Sequence, residues 1–141
     1  MQPGSGVPFR TAQRRWKAAC SALAAHLKSI RPALPASMRR FSDTTLHDGV
    51  IRSARRPARG RVVLEIDGSN CPWGPVGQFR LTFKGVRDVR GLDRMRNDEW
   101  LYEEVDLHKD AKFEYRVLLF RSEFRIAADE VKFEKLRSRR I

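Results

Sequence analysis

A chain of 141 residues is sized for one ordinary domain and is short for two. With 41% hydrophobic and 33% charged residues it reads as globular with a modest core, and a net charge of +12 favours polyanionic partners without specifying a fold. Two cysteines exclude a disulfide-dense secreted scaffold, and no run of about 18 apolar residues marks a transmembrane helix.

The charge is unevenly spread. Residues 1–42 hold Arg10, Arg14, Arg15, Lys17, Lys28, Arg31, Arg39 and Arg40 and no acid, and the 17 acidic residues all follow from Asp43 onward. This divides the chain into a basic N-terminal arm with its connector (1–44), a β domain (45–136) and a basic tail (137–141). The acid-free start superficially resembles a transit peptide, and Lys28 and His26 interrupt its alanine-rich stretch as an export signal. Free thiols in a reducing cytoplasm are the expectation for Cys20 and Cys71.

Residues 1–8 are turn formers, expected to be disordered. From Thr11 to Ile30, Ala12, Trp16, Ala19, Leu23, Leu27 and Ile30 recur at helical steps, so a helix with one apolar stripe is predicted. Thr11 is the predicted cap and Pro32 the stop, with Trp16 and Leu23 packing on a sheet. Pro35 opens a short turn carrying Met38 and Phe41, read as a connector outside the core.

Six strands are predicted after that. The first spans residues 46–55, followed by a hairpin loop at 54–60. The second, 61–67, turns Val62, Leu64 and Ile66 to one face. Residues 68–77 form an irregular loop around Cys71 and Trp73. The third strand, Gln78–Lys84, alternates most clearly, with Phe79, Leu81 and Phe83 inward; it continues past a bulge near Gly85 to Val89. The fourth spans 99–108, with Trp100 and Tyr102 on one face and Leu101, Val105 and Leu107 on the other. The fifth spans 113–120, and the sixth runs from Phe124 past a kink at Asp129-Glu130. Short connections predict an α+β domain: an N-terminal helix packed on a twisted, mostly antiparallel sheet or partly closed barrel. Phe79, Leu81 and Phe83 are expected to meet Leu64, Val117 and Ile126 in the core.

Three groups of residues carry candidate chemistry. His47 beside Asp48 is a titrating or metal-binding pair in composition, although neighbours on a strand point to opposite faces. Glu104, Asp106 and His108 share one strand face and are ligand types, but a row of acids in a basic protein more often pairs with arginine. No zinc-protease, paired-cysteine, phosphate-loop or nucleophile-elbow motif occurs, so no catalytic residue, cofactor or metal is assigned. The third group is basic: Arg14, Arg15 and Lys17 on the helix, and Arg52, Arg55, Arg56, Arg80 and Lys84 on the strands. Set beside Trp16, Phe79 or Trp73, these arginines would hold single-stranded nucleic acid by charge and stacking, with the helix supplying much of the salt-dependent affinity.

The segments Leu46-His47-Asp48-Gly49-Val50-Ile51, residues 61–67, Phe83-Lys84-Gly85-Val86, Tyr102-Glu103-Glu104-Val105 and residues 113–119 resemble a group of small bacterial β-proteins that open with a hydrophobic-His-Asp triplet. Some similar sequences are assigned to immunity-protein families of bacterial polymorphic-toxin systems. The resemblance covers roughly residues 34–133, singles out His47, Asp48, Glu103 and Glu104 as motif positions, and carries no catalytic residue. It implies a cytoplasmic, non-enzymatic, immunity-like protein with a protein partner such as a toxin and no membrane association. A nucleic-acid-binding module is the alternative. Immunity proteins that neutralise nucleases are acidic by complementarity, so a net +12 argues against a nuclease target and leaves an acidic toxin.

Overall fold

The structure, a computed structural model, describes residues 9–72 and 74–137. The expectations for residues 1–8, for Trp73 and for the end of the tail lie outside these, as do the side chains of residues 9–13 and of Trp16. The chain divides into two units, residues 1–32 and 33–141.

The first unit is a single helix, α1 (Phe9–Ile30). It begins two residues before the predicted cap Thr11 and ends where Pro32 requires. The Leu23 side chain, which the periodicity places on the stripe, is 47% exposed. Among the described side chains of the helix, only Ile30, at its end, is buried.

The second unit opens with a short helix, α2 (Ala36–Phe41), started by Pro35, whose carbonyl accepts the amides of Met38 and Arg39. This segment belongs to the core. Met38 and Phe41 are buried, and the Phe41 ring meets Tyr115 at 5.5 Å and Phe133 at 5.4 Å. An amphipathic single turn covers the end of the strand core, a role that short-range pattern cannot separate from that of a connector.

Among the described residues, eight strands follow instead of six: β1 (Val50–Ala58), β2 (Arg61–Asp67), β3 (Gln78–Lys84), β4 (Asp88–Arg90), β5 (Trp100–Asp106), β6 (Phe113–Leu119), β7 (Glu123–Ala128) and β8 (Glu130–Leu136). They form two antiparallel four-stranded sheets, ordered β1-β2-β3-β8 and β4-β7-β6-β5, which do not close into a barrel. The inward rows predicted from period-2 alternation are buried: Phe79, Leu81 and Phe83 on β3, Leu64 on β2, Val117 on β6 and Ile126 on β7. Phe83 bridges the sheets, with its ring 6.2–6.4 Å from those of Tyr115, Phe124 and Phe113.

The two extra strands arise where the sequence pattern reads as continuous. At Gly85 the backbone takes φ +65°, a region open to glycine, and a Cβ there would strike the Asp129 carboxylate. The chain therefore leaves the first sheet after Lys84 and enters the second at Asp88. Asp129 makes the reverse crossing at the same corner, so β3–β8 and β7–β4 are pairs joined through one bend. Asp129 pins it by donating its amide to Lys84 O (3.0 Å) and accepting from the Lys112 amide (3.2 Å) and the Arg87 guanidinium (3.1 Å).

Candidate functional site

The motif positions of the resemblance are brought together by backbone. Residues 46–49 are a turn before β1, not part of it: the Gly49 amide donates to Leu46 O, and Asp48 adopts φ +71°. Because the turn bends the chain there, the alternation that would keep His47 and Asp48 apart on a strand does not apply, and His47 Nδ1 lies 3.0 Å from Asp48 Oδ1. The Asp48 amide donates to Trp100 O and the Trp100 amide to Gly49 O, both at 2.8 Å, which docks the turn on β5. The His47 ring then stands edge-on to Tyr102 at 5.7 Å.

On β5 an irregularity between Trp100 and Tyr102 shifts the pairing with β6. The predicted Trp100/Tyr102 face is therefore broken: Trp100 is buried, Tyr102 is exposed, and Glu103 turns inward with Val105. Burial raises the pKa of Glu103. Trp100 Nε1 (3.3 Å), the Leu46 amide and the Thr45 hydroxyl bond its carboxylate and offset part of that rise. Tyr115, buried nearby, is pushed well above its ordinary value by burial and then by the Glu103 charge. Glu103 thus ties the turn at 45–48 to the core.

Glu104 points outward into an arginine-centred cluster. Arg116 meets Glu104 at 3.0 Å, Glu114 at 3.1 Å and Asp106 at 3.8 Å, so the acidic row of β5 is ion-paired from β6. The third residue of that row, His108, lies beyond β5 and accepts the Asp110 amide in the following turn. Among the described residues, no group of three or more His, Cys, Asp or Glu side chains is placed to hold a metal ion. Cys71 is buried with its thiol pKa raised by desolvation, and Cys20 is exposed; both are free thiols.

Beside the ion cluster lies an apolar row that the sequence reading missed. Tyr102 and Leu118 are register partners across β5 and β6 and are each 45% exposed, and Phe120, next but one after Leu118, is 69% exposed. The signal was present. In residues 113–120 the outward phase runs Glu114, Arg116, Leu118, Phe120, polar giving way to apolar where a solvated face would stay polar.

The basic candidates sort into engaged and unengaged side chains. Arg52 meets Asp67 at 2.6 Å, and Arg80 grips Glu65 through two nitrogens at 3.0 and 2.8 Å. Asp67 also accepts from Ser69, and bonds from Ser69, Arg52 and Gln78 hold its carboxyl well below the usual range. Arg55, Arg56 and Lys84 are exposed and meet no carboxylate among the described residues. Arg14, Arg15 and Lys17 are exposed on α1, in the other unit. Stacking through Phe79 is overturned, because its side chain is buried and packs against Phe133 at 5.0 Å.

A family described as Protein of unknown function (DUF4085) matches residues 9–127. The chain belongs to that family. The matched segment starts with α1 and ends within β7, so it takes in the helix, the turn at His47 and the apolar row alike. No curated protein gives a significant match, and no solved structure does. No helix among the described residues is long and apolar enough to cross a membrane.

Proposed function

We propose that the chain is a non-enzymatic, cofactor-free protein-binding module of the immunity-like kind, with its partner docking on the outer face of β5–β6. The observation that carries this is the exposed row Tyr102–Leu118–Phe120. Clustered exposed aromatics rimmed by charge are the ordinary chemistry of an interface centre, where buried anchors supply most of the binding energy. The ion cluster on Arg116 gives the row a preformed polar border. Arg125 on β7, exposed and in register with Arg116, adds a cation that meets no carboxylate among the described residues. A partner that fits presents an apolar anchor to this row. Two free thiols favour a cytoplasmic setting.

Co-expression with the product of an adjacent gene tests the reading. The wild-type chain is expected to co-purify with it as a complex, and a Leu118→Glu, Phe120→Ser variant with unchanged circular dichroism is expected to lose it. Retention of the complex by that variant would remove the apolar row from the interface.

A further inference from the structure

A second surface stands apart from the apolar row and needs a different partner. Arg55, Arg56, Arg59, Arg61 and Lys84 gather at the β1–β2 hairpin and the end of β3. All are exposed, and none meets a carboxylate among the described residues. Nearby arginines of the same sheet and corner behave otherwise: Arg52, Arg80 and Arg87 are each held by an aspartate or glutamate. Arg61 is in direct register with Lys84, a like-charge pairing that costs stability in a sheet. Lys84 has Glu130 as its other register neighbour, yet the two form no ion pair. The 3-10 turn Leu92–Arg94 lies against β1 and adds Arg94 and, just beyond it, Arg96, both exposed.

From this sorting we infer that the β1 edge and its hairpin form a binding strip for the phosphate backbone of double-stranded nucleic acid. At about 3.3 Å per residue, Arg55 and Arg59 stand at most roughly 13 Å apart. A duplex presents one charge for about every 1.7 Å of its axis, so the strip spans several phosphates. Three observations choose the duplex. The hairpin tip, Arg55-Arg56-Pro57-Ala58-Arg59-Gly60, has no large apolar side chain to enter a lipid surface. β1 is an edge strand, but register shifts at 51/53 and 55/58 and Pro57 oppose the addition of an acidic peptide as a further strand. No exposed aromatic among the described residues of this strip offers a base a stacking platform, because Phe79 and Phe83 point inward. Recognition here is by charge and is indifferent to base sequence.

The competing explanation is that these charges only keep an edge strand from pairing with other chains. The full chain and its variants, titrated with a labelled short duplex DNA over roughly 50–200 mM salt, separate the two. An Arg55→Gln, Arg56→Gln, Arg59→Gln variant is expected to bind at least tenfold more weakly at low salt. Its log–log salt slope should be shallower by about 0.9 for every phosphate it no longer neutralises. The matching triple Lys variant should keep the wild-type slope. An unchanged slope in the Gln variant would overturn the proposal, and increased light scattering beside it would assign the charges to edge protection. Loss of slope confined to an Arg14→Gln, Arg15→Gln, Lys17→Gln variant would move the site to the helix. Tighter binding of the wild type to anionic phospholipid vesicles than to DNA would equally overturn it.

Discussion

On the outer face of the second sheet Arg116 stands opposite Glu104 and meets three carboxylates, whereas at the hairpin end of the first sheet Arg61 stands opposite Lys84 and meets none. Both faces are built by period-2 alternation from arginine-rich strands. Cross-strand register decides whether an arginine faces an acid or another cation, and register belongs to pairs of strands distant in sequence. Net charge therefore describes neither face: one is internally ion-paired with an apolar border, and the other is left cationic.

The two faces keep their difference only while the sheets stay packed, and the largest expected effect comes from separating them. Phe83→Ala removes the ring that meets Phe113, Tyr115 and Phe124 across the sheets and is expected to cost about 3–5 kcal/mol in urea unfolding. A cost below about 1 kcal/mol would mean that Phe83 does not join the layers.

Next is the corner where loop meets loop at Asp98, which is 2% exposed. Burial opposes its charge, but the Ser122 hydroxyl, the Glu99 and Arg121 amides and the Arg121 charge hold its carboxyl below the ordinary 3.8. Asp98→Asn is expected to cost about 2–3 kcal/mol near neutrality, the range for bonds to a charged acceptor. A depressed folded-state pKa contributes stability that is present above the ordinary value and lost as pH falls through the folded one. The difference between variant and wild type should therefore narrow below about pH 4. A constant difference across that range would show that Asp98 is not held as a carboxylate.

Glu103 carries the opposite sign. Its raised pKa means that the folded state retains a proton the unfolded chain gives up, so wild-type stability falls as pH rises above the ordinary 4.5. Glu103→Gln should flatten that fall while keeping the turn at 45–48 docked. A pH profile parallel to the wild type would contradict the burial of this carboxyl. The smallest effect on stability is expected at the apolar row, where Leu118→Glu with Phe120→Ser should stay within about 0.5 kcal/mol of wild type. A larger loss would show that the row packs against the rest of the chain.

The strand cores were legible because alternation is local: β2 and β3 run over the residues that the pattern marks. What escaped were changes of partner. The break in alternation at Gly85-Val86 reads as a bulge within one strand, so the passage from β3 to β4 is hidden, although only glycine suits the bend at Gly85. The contacts of Phe41 are equally non-local, lying on β6 and β8. The candidate site residues divide the same way. His47, Asp48 and Glu103 were marked by motif, but their convergence depends on a left-handed Asp48 and a strand irregularity. Leu118 and Phe120 lay open in the pattern, and were read as strand rather than surface.

The crossing at Gly85 and Asp129 also bears on how the molecule comes apart. Because β3 passes into β4 and β7 into β8 at one corner, the two sheets are tied there by backbone bonds such as that from the Asp129 amide to Lys84 O. Cooperativity should therefore extend through both layers, so that slow amide hydrogen exchange in β2–β3 and in β6–β7 reports a single opening event. The pairing of β3 with β8 joins residues about fifty positions apart, which places the closing of this corner late in folding.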